Sequence, residues 1–141
     1  MKIKQLLNFI LRKSLASNKV EVISSGEVLS RFLFNGNQFS LNGVKQAAFL
    51  PAKNHETSIF RKTKLVQFSL YESIKELIAS ERGMQIKGVA LIEAEKIQLA
   101  DLKVEIEESK HQWHANIIGW PLEKHQQKQL ALILAQNSSL E

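Results

Sequence analysis

Two histidines, two tryptophans and an asparagine lie within one short segment, HQWHANIIGWP, at residues 111–121. On a helix, the spacing of His111 and His114 would put both imidazoles on one face, where they could bind a metal ion. However, apolar and polar residues alternate from Trp113 to Ile118, which is the period of a β-strand. Residues three apart point to opposite faces of a strand, so the imidazoles share a metal only if His111 bends back from a preceding turn. We therefore predict neither a metal site nor another cofactor.

The same alternation predicts a different kind of site, because His114 and Asn116 project together from one face of the predicted strand. A histidine can act as a general base, and a neighbouring amide can orient a substrate or stabilise an oxyanion. The alternative is that both side chains only complete hydrogen bonds within the fold, as polar residues in strands commonly do. Acid–base chemistry at this position is thus a hypothesis with a structural alternative.

A second segment with chemical potential is NHETSIFR, residues 54–61. On a strand beginning at residue 57, Thr57, Ile59 and Arg61 would share one face. The planar guanidinium of Arg61 could hold a phosphate or carboxylate, and Glu56 could add an acid–base group. The alternative is a turn with an exposed charge. The sequence contains no glycine-rich phosphate loop, nucleophile elbow or paired-carboxylate pattern. The candidate catalytic residues are His114, Asn116, Arg61 and Glu56.

Three segments, ETSIFR, YESIKELI and HANIIGWP, together resemble a family of small uncharacterised bacterial proteins. That family has S-x-F-R in the middle of the chain and H-A-N-I-x-G-W-P near its end. The resemblance covers about residues 27–136 and leaves the N-terminal segment outside it. It implies no activity, but it implies that Arg61 and His114 belong to the family signature.

The excess positive charge lies at the N-terminus. The chain has 141 residues and a net charge of +5. Residues 1–20 contain five basic residues and no acidic one, so the 14 remaining basic residues balance all 14 acidic ones. A groove that follows a nucleic-acid backbone would require basic residues concentrated on the body of the protein. The sequence therefore argues against a nucleic-acid groove on residues 21–141.

The N-terminal segment has the pattern of a basic amphipathic helix. Apolar residues recur at helical spacing between residues 3 and 11, with Lys4, Asn8 and Arg12 among them. Such a helix could bind an anionic surface or a protein partner, or it could dock on its own domain or fray. No apolar run is long enough to span a membrane, and the chain has no cysteine. We expect a cytoplasmic protein.

Strands and helices are predicted from periodicity. Short β-type runs at 20–23, 28–34, 38–41, 44–50 and 57–62 predict an antiparallel meander, with a type I′ hairpin turn at Asn42-Gly43. A capping box at Ser69 and a closing glycine at Gly83 bound a helix over 70–82. Beyond it we predict a strand over about 85–92 followed by a short helical or irregular turn, a half-exposed strand in LKVEIEE, and a helix from Pro121 to about residue 136.

These elements predict a basic segment at 1–20 and one α+β domain over 21–141, with a mostly antiparallel sheet and two main helices packed on one face. Three functions are compatible with the sequence. The first is a non-catalytic binding or interaction module. The second is a small hydrolase or transferase that uses His114, Asn116 and Arg61. The third is a nucleic-acid binder that acts through residues 1–20.

Overall fold

The computed structural model of the chain describes residues 22–141. The basic segment and the amphipathic helix predicted over residues 3–11 lie outside the described residues. Within residues 22–141, no helix is both long enough and apolar enough to cross a bilayer.

A six-stranded sheet forms the centre of the fold, and each neighbouring pair of its strands is antiparallel. In spatial order its strands are β6 (Lys103–Ile106), β7 (His114–Ile118), β4 (Thr57–Arg61), β1 (Val28–Leu33), β5 (Gly88–Glu93) and β8 (Ser139–Leu140). A separate hairpin is formed by β2 (Phe39–Ser40) and β3 (Gly43–Val44). The helices are α1 (Lys62–Gln67), α2 (Tyr71–Arg82), α3 (Ala94–Leu99) and α4 (Lys124–Gln136). The predicted α+β class is confirmed.

The predicted meander is wrong, because β1 does not pair with the next strand along the chain. It lies between β4 and β5, and its residues are buried on both faces of the sheet. The run at 44–50 forms a short 3-10 helix, Gln46–Ala48, in place of a strand. In the hairpin, Ser40 pairs with Gly43, so the turn residues are Leu41 and Asn42. The turn is therefore shifted by one residue from the predicted one.

Two apolar clusters cover the two faces of the sheet. Ile59 packs with Ala131 and Leu134 of α4, whereas the next residue, Phe60, packs with Ile74 of α2. Since consecutive strand residues point to opposite faces, α2 and α4 cover opposite faces. The predicted placement of both helices on one face is wrong. The central strands are apolar on both sides, so each face requires a helix to exclude water.

The ends of the two main helices agree with the sequence only in part. Gly83 ends α2 in the left-handed conformation, at φ 62°, as predicted. The predicted capping box is wrong, because Leu70 occupies the N-cap position and Ser69 itself has a positive φ of 57°. Helix α4 begins at Lys124 rather than at Pro121, and its N-cap Glu123 accepts a hydrogen bond from a backbone N–H of the first turn. A carboxylate there also matches the positive end of the helix dipole.

Candidate functional site

Strands β4 and β7 bring the polar residues of the two predicted segments to one face of the sheet. Ser58 lies directly opposite Asn116, and Phe60 lies opposite His114. His114 to Ile118 are extended, as the alternation predicted, although Trp113 just before them has a positive φ of 61°. Ser58 and His114 are half-buried, so their polar atoms lie close to solvent.

His114 connects a hydroxyl to a carboxylate. Its Nε2 lies 2.7 Å from Oγ of Ser58, and its ring packs on Phe60 in a T-shaped arrangement with 5.1 Å between ring centroids. Its Nδ1 lies 2.8 Å from the backbone oxygen of Glu107 and 3.3 Å from the carboxylate of the same residue. Both neighbours of Nδ1 are acceptors, so in the neutral imidazole the proton resides on Nδ1. Nε2 is then the acceptor for the hydroxyl proton of Ser58.

Glu107 keeps its carboxylate ionised on the far side of this imidazole. The Ser109 hydroxyl is the largest contributor that lowers the pKa of Glu107 below its ordinary value, and His114 lowers it further. Partial burial opposes these effects without reversing them. The anionic carboxylate lies beside the ring nitrogen opposite Ser58, which is where an acidic group orients a histidine that acts as a general base.

Glu56 and Asn116, which were predicted separately, are brought into direct contact. The amide nitrogen of Asn116 donates to a Glu56 carboxylate oxygen over 3.1 Å, and Asn54 donates to the same oxygen. Asn116 is buried. Its amide thus orients Glu56, which immediately precedes β4.

Arg61 is engaged elsewhere, in a buried ion pair with Glu27. Its Nη2 lies 2.8 Å from the Glu27 carboxylate and its Nε contacts both carboxylate oxygens. The two side chains are 1% and 3% exposed. The guanidinium also lies 5.3 Å from the centre of the Trp113 ring. The structure therefore does not bring Arg61 together with His114 and Asn116, because its guanidinium already binds a carboxylate of the chain itself.

The second histidine of the opening segment has a different partner. Nε2 of His111 lies 2.9 Å from the carboxylate of Glu81 on α2. Among residues 22–141, no cluster of three or more histidine or carboxylate side chains has the arrangement of a metal site. Trp113 is buried, and its ring stacks on Phe68 with centroids 5.4 Å apart.

The sequence reasoning missed Ser58 and Glu107. By alternation Ser58 lies on the face opposite to that of Thr57, Ile59 and Arg61, but its contact with His114 depends on a pairing between residues 56 apart. Glu107 lies in a half-exposed run of charged residues, where nothing distinguishes it from its neighbours. Alternation indicates which face of the sheet each side chain occupies, but it does not indicate which strand lies alongside or in which register.

Comparison with known proteins identifies no family, because no family model, curated protein or solved structure matches the chain. The site therefore has to be interpreted from its own atoms.

Proposed function

We propose that this protein is a small hydrolase that forms a covalent intermediate on Ser58. The observation that supports the proposal is the chain of contacts from Ser58 Oγ through the imidazole of His114 to Glu107, whose backbone oxygen and carboxylate lie 2.8 and 3.3 Å from Nδ1. A hydroxyl becomes a useful nucleophile when an adjacent base can take its proton and a third group orients that base. Strand pairing positions Ser58 and His114, and Glu107, which directly follows β6, is held by the hydrogen bond from its N–H to the backbone oxygen of His114.

The reaction proposed is the hydrolysis of an ester. Ser58 Oγ bonds to the carbonyl carbon while its proton passes to Nε2 of His114, and Glu107 stabilises the imidazolium. When the tetrahedral intermediate collapses, the ester C–O bond breaks and the alcohol leaves with the proton from His114. Water then attacks the acyl group on Ser58 with His114 again as base, which releases the carboxylic acid and restores the hydroxyl. A cytoplasmic location is part of the proposal, supported by the absence of cysteine.

A covalent probe tests the nucleophile directly. Intact protein is incubated with a fluorophosphonate, and the modified residue is located by peptide mass spectrometry. The proposal expects one modification on Ser58, its loss in Ser58→Ala and in His114→Gln, and its retention in Ser73→Ala, which removes an exposed serine hydroxyl from α2. Hydrolysis of p-nitrophenyl acetate should fall on the order of a thousandfold in Ser58→Ala. Equal rates for the wild type and Ser58→Ala would overturn the proposal.

An interaction module is the second candidate function, favoured by the exposed edge of the sheet at β6. Beside this strand lies an open groove of about 490 Å³ whose apolar lining includes Ile23, Leu102, Val104 and Ile106. The N–H of Glu107 bonds to β7, so the ladder alternation turns the N–H groups of Val104 and Ile106 outward. An extended peptide could add there as a further strand and place alternate apolar side chains in the groove.

Selection of extended peptides from a displayed random library tests this second candidate. Binders with alternating apolar residues should be enriched on the wild type and should bind at least about tenfold more weakly to Ile106→Pro, which removes one outward donor. Equal binding by the two proteins would exclude the edge of β6 as the binding site.

The third function, nucleic-acid binding through residues 1–20, concerns residues outside those described. It predicts a steep loss of binding with salt and a loss of binding by a chain that begins at residue 21.

A further inference from the structure

A small recess lies in the surface beside Ser58. Its volume is about 10 Å³, and it is lined by Ser58, Arg31 and Arg82 together with the apolar side chains of Phe32, Phe34, Phe60 and Ile78. That volume is close to what a single water molecule or a single oxygen atom needs. The recess therefore has room for one atom of a ligand rather than for a whole ligand, and Ser58, the proposed nucleophile, is one of its lining residues.

Arg31 reaches this region because strands β1 and β4 separate. Their pairing ends at Ser30 and Phe60, and the guanidinium of Arg31 fills the gap that follows. Its Nε donates to the backbone oxygen of Ala48 over 2.8 Å, and its Nη1 donates to the backbone oxygen of Ser58 over 3.0 Å. The guanidinium is thus fixed in position directly at the peptide group of Ser58.

Arg82 supplies a second positive charge from the last turn of α2. Its guanidinium lies 4.6 Å from the centre of the Phe34 ring. Burial, and then the charge of Arg82, lower the pKa of Arg31 to about 10, so Arg31 keeps its charge at neutral pH. None of the ion pairs formed by residues 22–141 includes Arg31 or Arg82. The two guanidinium groups repel each other, so an anion bound beside both of them would relieve that repulsion.

We infer that the recess formed by Arg31 and Arg82 binds one oxygen of an oxyanion, such as a phosphate or carboxylate group on the ligand of this protein. Guanidinium groups suit this task because their fixed N–H donors match the oxygens of these anions. As a substrate subsite the recess rests on the proposed function, and it then selects esters that carry a negative charge close to the scissile bond. As an anion site it stands without that function.

Nuclear magnetic resonance titration with inorganic phosphate tests the site independently of activity. The wild type should show saturable shifts of the Nε–H signals of Arg31 and Arg82 and of the Ser58 amide. Arg82→Gln should bind phosphate about tenfold more weakly. Arg82 is exposed, so this change leaves the core intact. Lys128→Gln, which removes an equal charge from the exposed surface of α4, should bind as the wild type does. Absence of saturation, or equal affinities of the wild type and Arg82→Gln, would overturn the inference.

Ester hydrolysis separates this inference from the proposed function. The activity ratio between a succinate monoester, which has a free carboxylate, and its neutral methyl-capped analogue should fall about tenfold in Arg82→Gln. Phosphate binding with no hydrolysis of either ester would remove the hydrolase and leave the anion site. Hydrolysis of both esters without phosphate binding, and with an unchanged ratio in Arg82→Gln, would remove the anion site and leave the hydrolase.

Discussion

Replacing Glu27 by glutamine should destabilise the protein far more than any ordinary surface substitution. Glu27→Gln keeps the size of the side chain but removes the negative charge that neutralises Arg61. Both side chains are almost fully buried, and three nitrogen–oxygen contacts of 2.8, 3.1 and 3.2 Å join them. The substitution therefore removes the carboxylate that binds this guanidinium inside the fold.

The magnitude follows from this burial. Removing one partner of a buried ion pair costs about 3–5 kcal/mol, mostly because the remaining charge stays desolvated. The amide oxygen of glutamine can still accept one hydrogen bond from Arg61, so we expect the lower end, about 3 kcal/mol. For a chain of this length, that corresponds to a decrease in Tm of roughly 10 °C. Replacing both residues, as in Glu27→Leu with Arg61→Met, should restore much of the stability because no charge then remains buried.

Thermal and urea unfolding, followed by far-ultraviolet circular dichroism, measure these changes. The double variant should be more stable than either Glu27→Gln or Arg61→Met alone, with a coupling free energy of about 2 kcal/mol or more. A Tm of Glu27→Gln within about 2 °C of the wild type would refute the reasoning, since it would mean that solvent reaches the guanidinium. Additive effects of the two single changes would refute it as well.

Three further outcomes are expected. Gly83→Ala should lower the free energy of unfolding by about 1 kcal/mol, because residue 83 has a φ of 62° at the end of α2; an unchanged urea midpoint would contradict this. Leu134→Ala should cost about 2–5 kcal/mol, because Leu134 is fully buried, whereas Leu132→Ala on the same helix should cost less than about 1 kcal/mol, since Leu132 is 44% exposed. Burial raises the pKa of Tyr71, the only tyrosine, above its ordinary value. The contribution of its neutral form to the free energy of unfolding is therefore complete below the ordinary pKa and is lost as the pH rises through the higher pKa of the folded state. An alkaline absorbance titration should therefore show tyrosinate forming at higher pH in the native than in the urea-unfolded protein, and coincident titrations would contradict the burial.

The local parts of the fold could be predicted from the sequence. Periodicity and turn chemistry act within a few residues. They predict helix α2 with its closing glycine, the strand near residue 90 and the exposed edge strand β6. The predicted meander was wrong because the sequence of one strand does not specify which distant strand it pairs with. The strand predicted at 44–50 was wrong for a related reason. Ala48 and Phe49 are buried under α4 at a 3-10 helix, and a short apolar run does not specify whether it forms a strand or a helical turn.

The candidate site was predictable to the same limited extent. The face shared by His114 and Asn116 follows from alternation, and Glu56 proves to contact Asn116. Arg61 shows what alternation does not reveal, because the carboxylate that binds its guanidinium lies 34 residues away, before β1. Burial of a charged residue depends on such a distant partner, so residue type alone cannot distinguish an anion clamp from a structural ion pair.

The contact between Ser58 and His114 depends on apolar residues that take no part in chemistry. Ile59, Ala115 and Ile117 are fully buried on the opposite face of the sheet, under α4. A slip of one residue between β4 and the core would turn these side chains toward solvent and bury Ser58 instead. Burial of each isoleucine contributes about 1.5–3 kcal/mol, so the slipped arrangement is strongly disfavoured. The hydrophobic core thereby fixes the pairing that aligns a hydroxyl, an imidazole and a carboxylate on the other side of the sheet.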